Sequence, residues 1–251
     1  MIKFFRKIRQ TLLAEGQTGK YLKYAIGEII LVVIGIFIAI QLNDWNQARI
    51  EKKQHKIVLQ NLADEFSRTR ELLASISSNY GLSIDANAEL MQLFSAEHDT
   101  ILPQRIDTLI GESTKQGPFY PPQPVLDELM NSGRIKSMQN ENLKRYLFDW
   151  GATLNWFHFD YGLAISFSND QFQPYLNKHW SWKNIDIAAG IPFYTQRSTL
   201  AQDQVELFRQ LEFENLVDAN LFHTVRLERR LTGMEVLIDN ILREIEISLG
   251  R

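Results

Sequence analysis

The chain contains no cysteine among its 251 residues. That excludes disulfides, thiolate-ligated zinc and a thiol nucleophile, and it fits an oxidising compartment without requiring one. Histidine is sparse: His55, His98, His158, His179 and His223 each stand alone in their local windows. There is no His-Glu-x-x-His, Gly-x-Ser-x-Gly, phosphate loop or Gly-x-Gly-x-x-Gly, so no familiar metal, acyl-transfer or nucleotide motif is present. Gly16-Gln17-Thr18-Gly19-Lys20 faintly imitates a phosphate loop but lacks its spacing and the following Ser or Thr. Alternating runs enriched in β-branched residues are also missing, which removes the usual signal for a sheet. A basic surplus is absent from the larger part of the chain: beyond residue 44 there are 21 Lys and Arg against 27 Asp and Glu. Nucleic acid is therefore not an expected partner, because that affinity depends on neutralising phosphates.

The chain does carry one long apolar run, Ala25–Leu42, whose only charge is Glu28 near its start. At 1.5 Å per residue a helix of this length nearly matches a hydrocarbon core of about 30 Å. No polar face interrupts Ile29–Ile40, unlike most core helices of soluble domains, and no Ala-x-Ala cleavage site follows. The expectation is an uncleaved signal anchor with the lipid bilayer as its solvent. The chain then divides into a short basic cytoplasmic segment at 1–23, a transmembrane helix at 24–43 and a helical bundle domain at 44–251.

Charge around the span sets the expected orientation. Lys3, Arg6, Lys7, Arg9, Lys20 and Lys23 precede it, against Arg49, Lys52, Lys53 and Lys56 up to residue 60. The bias favours a cytoplasmic N-terminus and a periplasmic or otherwise extracytoplasmic C-terminal domain, single-pass in the inner membrane. Tyr21 and Tyr24 on one side and Trp45 on the other occupy aromatic-belt positions. Residues 2–13 place Phe5, Ile8 and Leu12 on one helical face, either a membrane-surface helix or an ordinary positive flank, ended by Gly16 and Gly19. Gly35 and Ala39 form a small-x-x-x-small step, a candidate helix–helix contact in the membrane, although glycine is common in spans generally.

Beyond the span, Leu59, Leu62, Phe66, Thr69, Leu73, Ile76 and Tyr80 alternate at spacings of three and four. This is one apolar helical stripe, compatible with a coiled coil but better suited to an intramolecular bundle, given Phe at the seam. Gly81 predicts an interruption before a further helical piece at about 84–96. Pro103, Gly111, Gly117, Pro118, Pro121, Pro122 and Pro124 make 103–124 the main irregular segment. A short helix from Val125 stops at Asn131-Ser132-Gly133, and Asn140 is placed to cap the next one. Leu143, Leu147, Trp150, Leu154, Phe157 and Tyr161 form its stripe, running towards Pro174. Residues 175–200 are weakly periodic, a helix near 202–211 follows, and a last one covers roughly 213–249 with Leu227, Leu231, Met234, Ile238, Ile241 and Ile245 inside. The fold class is all-α, a single transmembrane helix followed by an antiparallel helical bundle.

The opening Phe4-Phe5-Arg6-Lys7-Ile8-Arg9, followed by Tyr21–Asn46 with its Gly27-Glu28 and Asn43-Asp44-Trp45-Asn46, resembles the start of an uncharacterised family of bacterial membrane-anchored proteins, a domain of unknown function. A looser likeness lies in Val125–Gly133 and in Asn140-Glu141-Asn142-Leu143. The resemblance implies an anchor and an all-helical domain, and it implies no activity and no catalytic residue.

Residues 146–182 hold 12 of the 28 aromatic residues. Trp150, Phe157 and Tyr161 lie on the apolar stripe, whereas Trp156 and Phe159 point away from it and need a neighbour, a partner or a pocket. Whether this region is core or binding surface is left open by the spacing. Phe119 and Tyr120, in the Pro-rich segment, are further candidates for an interaction surface. His223 falls on the stripe of Leu216, Asn220 and Leu227, where a hydrogen-bonded or half-buried residue is the simpler reading than a ligand. His158 and Asp160 are two apart and diverge on a helix. No catalytic, metal-binding or cofactor-binding residue is expected. The functional expectation is a non-enzymatic, membrane-anchored interaction or scaffolding module of the bacterial cell envelope, working through a protein partner or self-association. The alternative is an extracytoplasmic ligand-binding or sensory domain that signals through a separate protein. A third class, an enzyme with dispersed carboxylates, would need acidic residues brought together in a deep pocket.

Overall fold

Helix α1, Thr18–Leu93, carries the apolar run at its start and the first bundle stripe at its end without a break. In the computed structural model, residues 18–95, 103–200 and 204–250 are described. No strand occurs among them, and the elements after α1 are α2 (Pro103–Ser113), α3 (Pro124–Asn131), α4 (Glu141–Phe167), α5 (Gln173–His179), α6 (Trp182–Ala188), α7 (Gln204–Leu207) and α8 (Leu211–Leu249). The all-α reading holds, with one long apolar helix followed by a helical region. The amphipathic reading of residues 2–13 and the expected break at Gly16 lie outside the described residues.

The chain divides into two compact units, Met1–Val58 and Leu59–Arg251. In the first, every residue from Ile29 to Ile57 is exposed. Among the described residues, one helix is long and apolar enough to cross a membrane: its most apolar window has mean hydropathy 2.6, and none of that window is buried. Gly35 and Ala39 lie on this exposed helix, and nothing stands within 4 Å of where a Cβ on Gly35 would be.

The second unit has its own apolar interior. Leu59, Leu62, Phe66, Leu73 and Tyr80 of α1 are buried, and so are Leu143, Leu147, Trp150, Leu154 and Phe157 of α4. On α8 the buried series is Leu227, Leu231, Met234, Ile238, Ile241 and Ile245. α4 and α8 run antiparallel, since Asn140 meets Glu244 and Ser248 while Asp160 meets Arg226 and Arg230. α1 is antiparallel to α8 as well, with Arg70 beside Asp239 and Asn87 beside Asn220. A second apolar cluster joins the end of α1 to α2, α5, α6 and the start of α8, built on Leu90, Ile110, Phe172, Leu176, Phe208 and Phe213.

Two expectations are corrected. α1 passes straight through Gly81, because the cost of about 1 kcal/mol for one helical glycine is offset by burial of Tyr80 and Ser83 on either side. The first half of 103–124 is helical: Pro103 occupies the first turn, where its missing N–H removes no bond, and Ile106, Leu109 and Ile110 bury one face. Non-helical backbone in this segment is confined to 114–123. As expected, helical chain continues from α4 towards Pro174, with Ser168–Phe172 wound as a π-helical turn. With i→i+5 bonding, residues five apart fall on one side, and Phe167 and Phe172 accordingly stack within the interior at 6.2 Å.

Two of the glycines show the two reasons for which the residue is required here. Gly133, at φ 71°, makes the left-handed step after α3, as expected. Gly111 lets α2 approach α6: a Cβ there would lie 2.9 Å from Cγ2 of Ile185.

Candidate functional site

The bundle unit is pinned by polar groups inside it. At the end of α2, the Ser113 carbonyl accepts from Ser83 Oγ at 2.8 Å and from Asn220 Nδ2 at 3.0 Å. Asn220 Nδ2 also donates to Asn87 Oδ1 at 3.0 Å, and Gln116 Nε2 donates to Asn220 Oδ1 at 3.1 Å and Thr224 Oγ1 at 2.5 Å. The last turn of a helix leaves carbonyls without partners, and here α1 and α8 supply donors.

Glu65, buried on α1, plays the reciprocal role at α3. Its carboxylate accepts from Val125 N at 2.7 Å and Leu126 N at 3.1 Å, at a helix start where anions are favoured. Burial nevertheless raises its pKa above the usual carboxylate value, with the two backbone hydrogen bonds opposing the rise. Asn140 caps α4 as expected: Oδ1 accepts from Leu143 N at 3.0 Å.

Among the described residues, Asp107 and Asp160 are carboxylates with no exposed side-chain surface. Asp107 accepts from Trp180 Nε1 at 3.1 Å and Gln204 Nε2 at 2.7 Å, while Arg197 Nη2 lies 2.5 Å from its other oxygen. Asp160 on α4 is held by Arg230 Nε at 2.8 Å and Arg226 Nη2 at 2.5 Å, both from α8. The sequence reading missed these clusters because each joins residues more than sixty positions apart. One signal was available: Asp160 lies three residues from Phe157 and four from Ala164 on the buried side of α4, where a charge demands a partner.

Among the described residues the histidines do not converge. His158 Nε2 lies 2.9 Å from the Phe119 carbonyl. His223 is half-buried against Phe167, ring centroids 5.2 Å apart. Its pKa is lowered by burial and by Arg226, with Asp160 opposing. No group of three or more His, Asp or Glu able to hold a metal ion occurs among the described residues.

The aromatic-rich segment divides cleanly. Trp150, Phe157, Phe167, Phe172, Tyr175 and Trp180 are buried, and Tyr161 is half-buried against Phe157. Burial pushes the Tyr175 phenol up to about 12. Phe119, read as a candidate interaction residue, is instead core. It is fully buried, edge-on to Trp150 at 6.4 Å and Phe157 at 6.1 Å. The irregular segment folds inward there, helped by Tyr80, whose hydroxyl donates to the Gly117 carbonyl at 2.9 Å. Its neighbour Tyr120 is exposed and packs on His158.

Trp156 and Phe159 each remain 55% exposed, ring centroids 5.9 Å apart and nearly perpendicular. The Arg230 guanidinium lies 5.7 Å from the Trp156 ring centre. Between α4 and α8, Trp156 forms one wall of a groove of about 360 Å³ that also includes Asp149, Gly233, Val236, Leu237 and Asn240. The groove thus combines the exposed ring of Trp156 with the charge of Asp149.

Residues 28–146, just under half of the chain, match the family model described as a family of unknown function (DUF6090). The match contains Glu28–Asn46 and Val125–Leu143, the greater part of what carried the resemblance to an uncharacterised domain family, and that resemblance is thereby shown. No curated protein and no solved structure matches the chain.

Proposed function

We propose that this protein is a non-enzymatic, membrane-anchored interaction module of the bacterial cell envelope, with the bundle unit on the outer side of the inner membrane. The observation that carries this reading is the contrast between the two units. Ala25–Leu42 is apolar and almost wholly exposed, an arrangement that water penalises and lipid accepts. The bundle unit buries its own core and still leaves Trp156 and Phe159 outside. Large exposed aromatics in a cluster are the anchors that protein interfaces use. The positive bias before the span supports the N-in orientation. The groove beside Trp156 is open, which suits a polypeptide better than a small ligand needing enclosure.

The test uses the full chain in its native cells. It should sediment with membranes, resist alkaline extraction and need detergent for release. A single cysteine introduced at exposed Glu71, in a chain with no other, should react with a membrane-impermeant maleimide from outside. In-cell crosslinking should recover a protein partner or a second copy. A soluble chain, labelling only after lysis, or a lone monomer under gentle detergent and crosslinking would each count against the reading.

A further inference from the structure

Helix α1 carries two stripes spaced at three and four residues, and only one of them is covered. The covered stripe starts at Leu59 and forms part of the bundle interior. The other precedes it. Within the apolar run it passes through Ile26, Ile29, Val33, Ile36 and Ile40, and beyond the run through Asn43, Gln47, Ile50, Gln54 and Ile57. Each of these residues is exposed. The alternation is unbroken over about four heptads, or about 46 Å of helix.

Inside the apolar run any stripe would be apolar, so the part beyond it decides. Residues 44–58 include six charged side chains, Asp44, Arg49, Glu51, Lys52, Lys53 and Lys56, and none falls on the stripe. Ile50 and Ile57, seven residues apart, stand on it with 43% and 46% of their surface exposed. A highly charged stretch therefore keeps one uncharged, partly apolar line along its length. Helices as short as this stretch draw most of their stability in water from packing such a face.

Lipid ends too early to cover this line. Ile57 lies fifteen residues past Leu42, about 22 Å along the helix, whereas headgroups reach only about 5–8 Å beyond the hydrocarbon. The described part of the same chain leaves both isoleucines exposed. A charged helix of another protein would find no charge on the seam to pair with, and an apolar one would leave the amides of Asn43, Gln47 and Gln54 buried without partners. A second copy avoids both faults. An amide carries donor and acceptor, so Asn43 satisfies its own image, and a single asparagine in such a seam fixes register. One span per chain gives every copy the same direction. Beside the seam of a parallel pair, Asn46 faces Glu51 and Lys53 faces Val58, so like charges do not meet. We propose that α1 pairs with α1 of a second copy, parallel and in register, along Ile26–Ile57, as a left-handed coiled coil that continues from lipid into water. This inference rests on the membrane-anchored interaction-module reading and names its partner, another copy of the chain, and the contact. Gly35 lies off this seam, so the pairing differs from one built on the step from Gly35 to Ala39.

The chain has no cysteine, so single replacements report contacts between copies without background. In the full chain in its native membranes, Ile50→Cys, Gln54→Cys and Ile57→Cys are compared with Ala48→Cys, Lys52→Cys and His55→Cys, which point away from the seam. Copper–phenanthroline supplies the oxidant, and non-reducing gels read the disulfide-linked dimer. Seam positions should give about tenfold more dimer than the others, in keeping with the heptad spacing. Within the span, Ile36→Cys should exceed Gly35→Cys several-fold. Ile50→Lys together with Ile57→Lys, added to Gln54→Cys, should abolish its dimer. The denaturation midpoint of the bundle should stay unchanged in that variant, because both side chains are exposed. Equal yields around the helix, a maximum at Lys52 or Gly35, a dimer that survives the double lysine change, or no dimer at any position would each overturn the proposal. If no dimer forms but a photocrosslinking amino acid at Trp156 captures another protein, the seam falls and the interaction-module reading stands. Capture at neither place removes both.

Discussion

Arg230 touches two residues of opposite character on α4: its Nε bonds Asp160, which has no exposed side-chain surface, and its guanidinium lies over the half-exposed Trp156. One side chain thereby fixes a buried charge and an exposed ring. Removing Asp160 should therefore alter more than a single contact. Asp160→Ala leaves two arginines without their anion, and breaking a buried pair in this way costs about 3–5 kcal/mol. Partial exposure of both arginines places the expected loss at the lower end. Urea unfolding of the bundle signal measures it, and a loss below about 1 kcal/mol would show that water compensates.

Phe119 and Tyr120 are adjacent and should behave oppositely. Phe119→Ala empties a site enclosed by Trp150 and Phe157, with an expected cost of about 3–5 kcal/mol. Tyr120→Ala removes an exposed ring packed on His158 and should cost about 1 kcal/mol or less. Equal effects in paired thermal or urea melts would contradict the burial of Phe119.

Glu65 predicts an unusual pH dependence. Its folded pKa is raised by burial above the ordinary 4.5, so the folded protein holds this proton more tightly than the unfolded chain. The stabilisation is complete below that ordinary value and is lost as pH rises through the folded pKa. Urea midpoints from pH 4 upwards should carry a falling component that is absent from Glu65→Gln.

His223 acts in the other direction. Burial and Arg226 lower its pKa, so the folded state favours the neutral ring. Its contribution is present above the ordinary value of 6.5 and is lost as pH falls through the folded pKa. In the bundle unit, an NMR titration of the His223 ring should show an inflection below 6.5, and His223→Gln should flatten stability across that window. An inflection at or above 6.5 would refute the environment described.

Gly111→Ala tests the closeness of α2 and α6. The new methyl would meet Ile185 at 2.9 Å, so overpacking should cost about 1–3 kcal/mol. Ile185→Val in the same chain should return part of that loss, as a double-mutant cycle in urea would show.

The parts legible in the sequence were those written in local spacing. The stripes of α1, α4 and α8 repeat every three or four residues, and Asn140 precedes its helix with a side chain made for capping. The position of His223 on a stripe follows from counting and allows a hydrogen-bonded core or a half-buried residue; it is half-buried. What failed did so where one residue type serves two purposes. Proline both ends helices and begins them, so counting Pro103 with the later prolines makes all of 103–124 read as irregular, although Pro103 begins α2. Gly81 could have broken α1, but burial on both sides outweighed its backbone cost. Phe119 lies in irregular chain, whose burial is settled by contacts from α1 and α4 that no local window contains. The pairing of Asp160 with Arg226 and Arg230 depends likewise on which helices become neighbours.

The Ser113 carbonyl, reached by Ser83 and Asn220, has a bearing on how this chain can change over generations. Apolar side chains slide past one another with modest loss, but these donors meet their acceptor at one setting of α1 against α8 only. Lineages should consequently exchange leucine for isoleucine freely along the stripes while Ser83, Asn87, Gln116 and Asn220 are kept or replaced as a set.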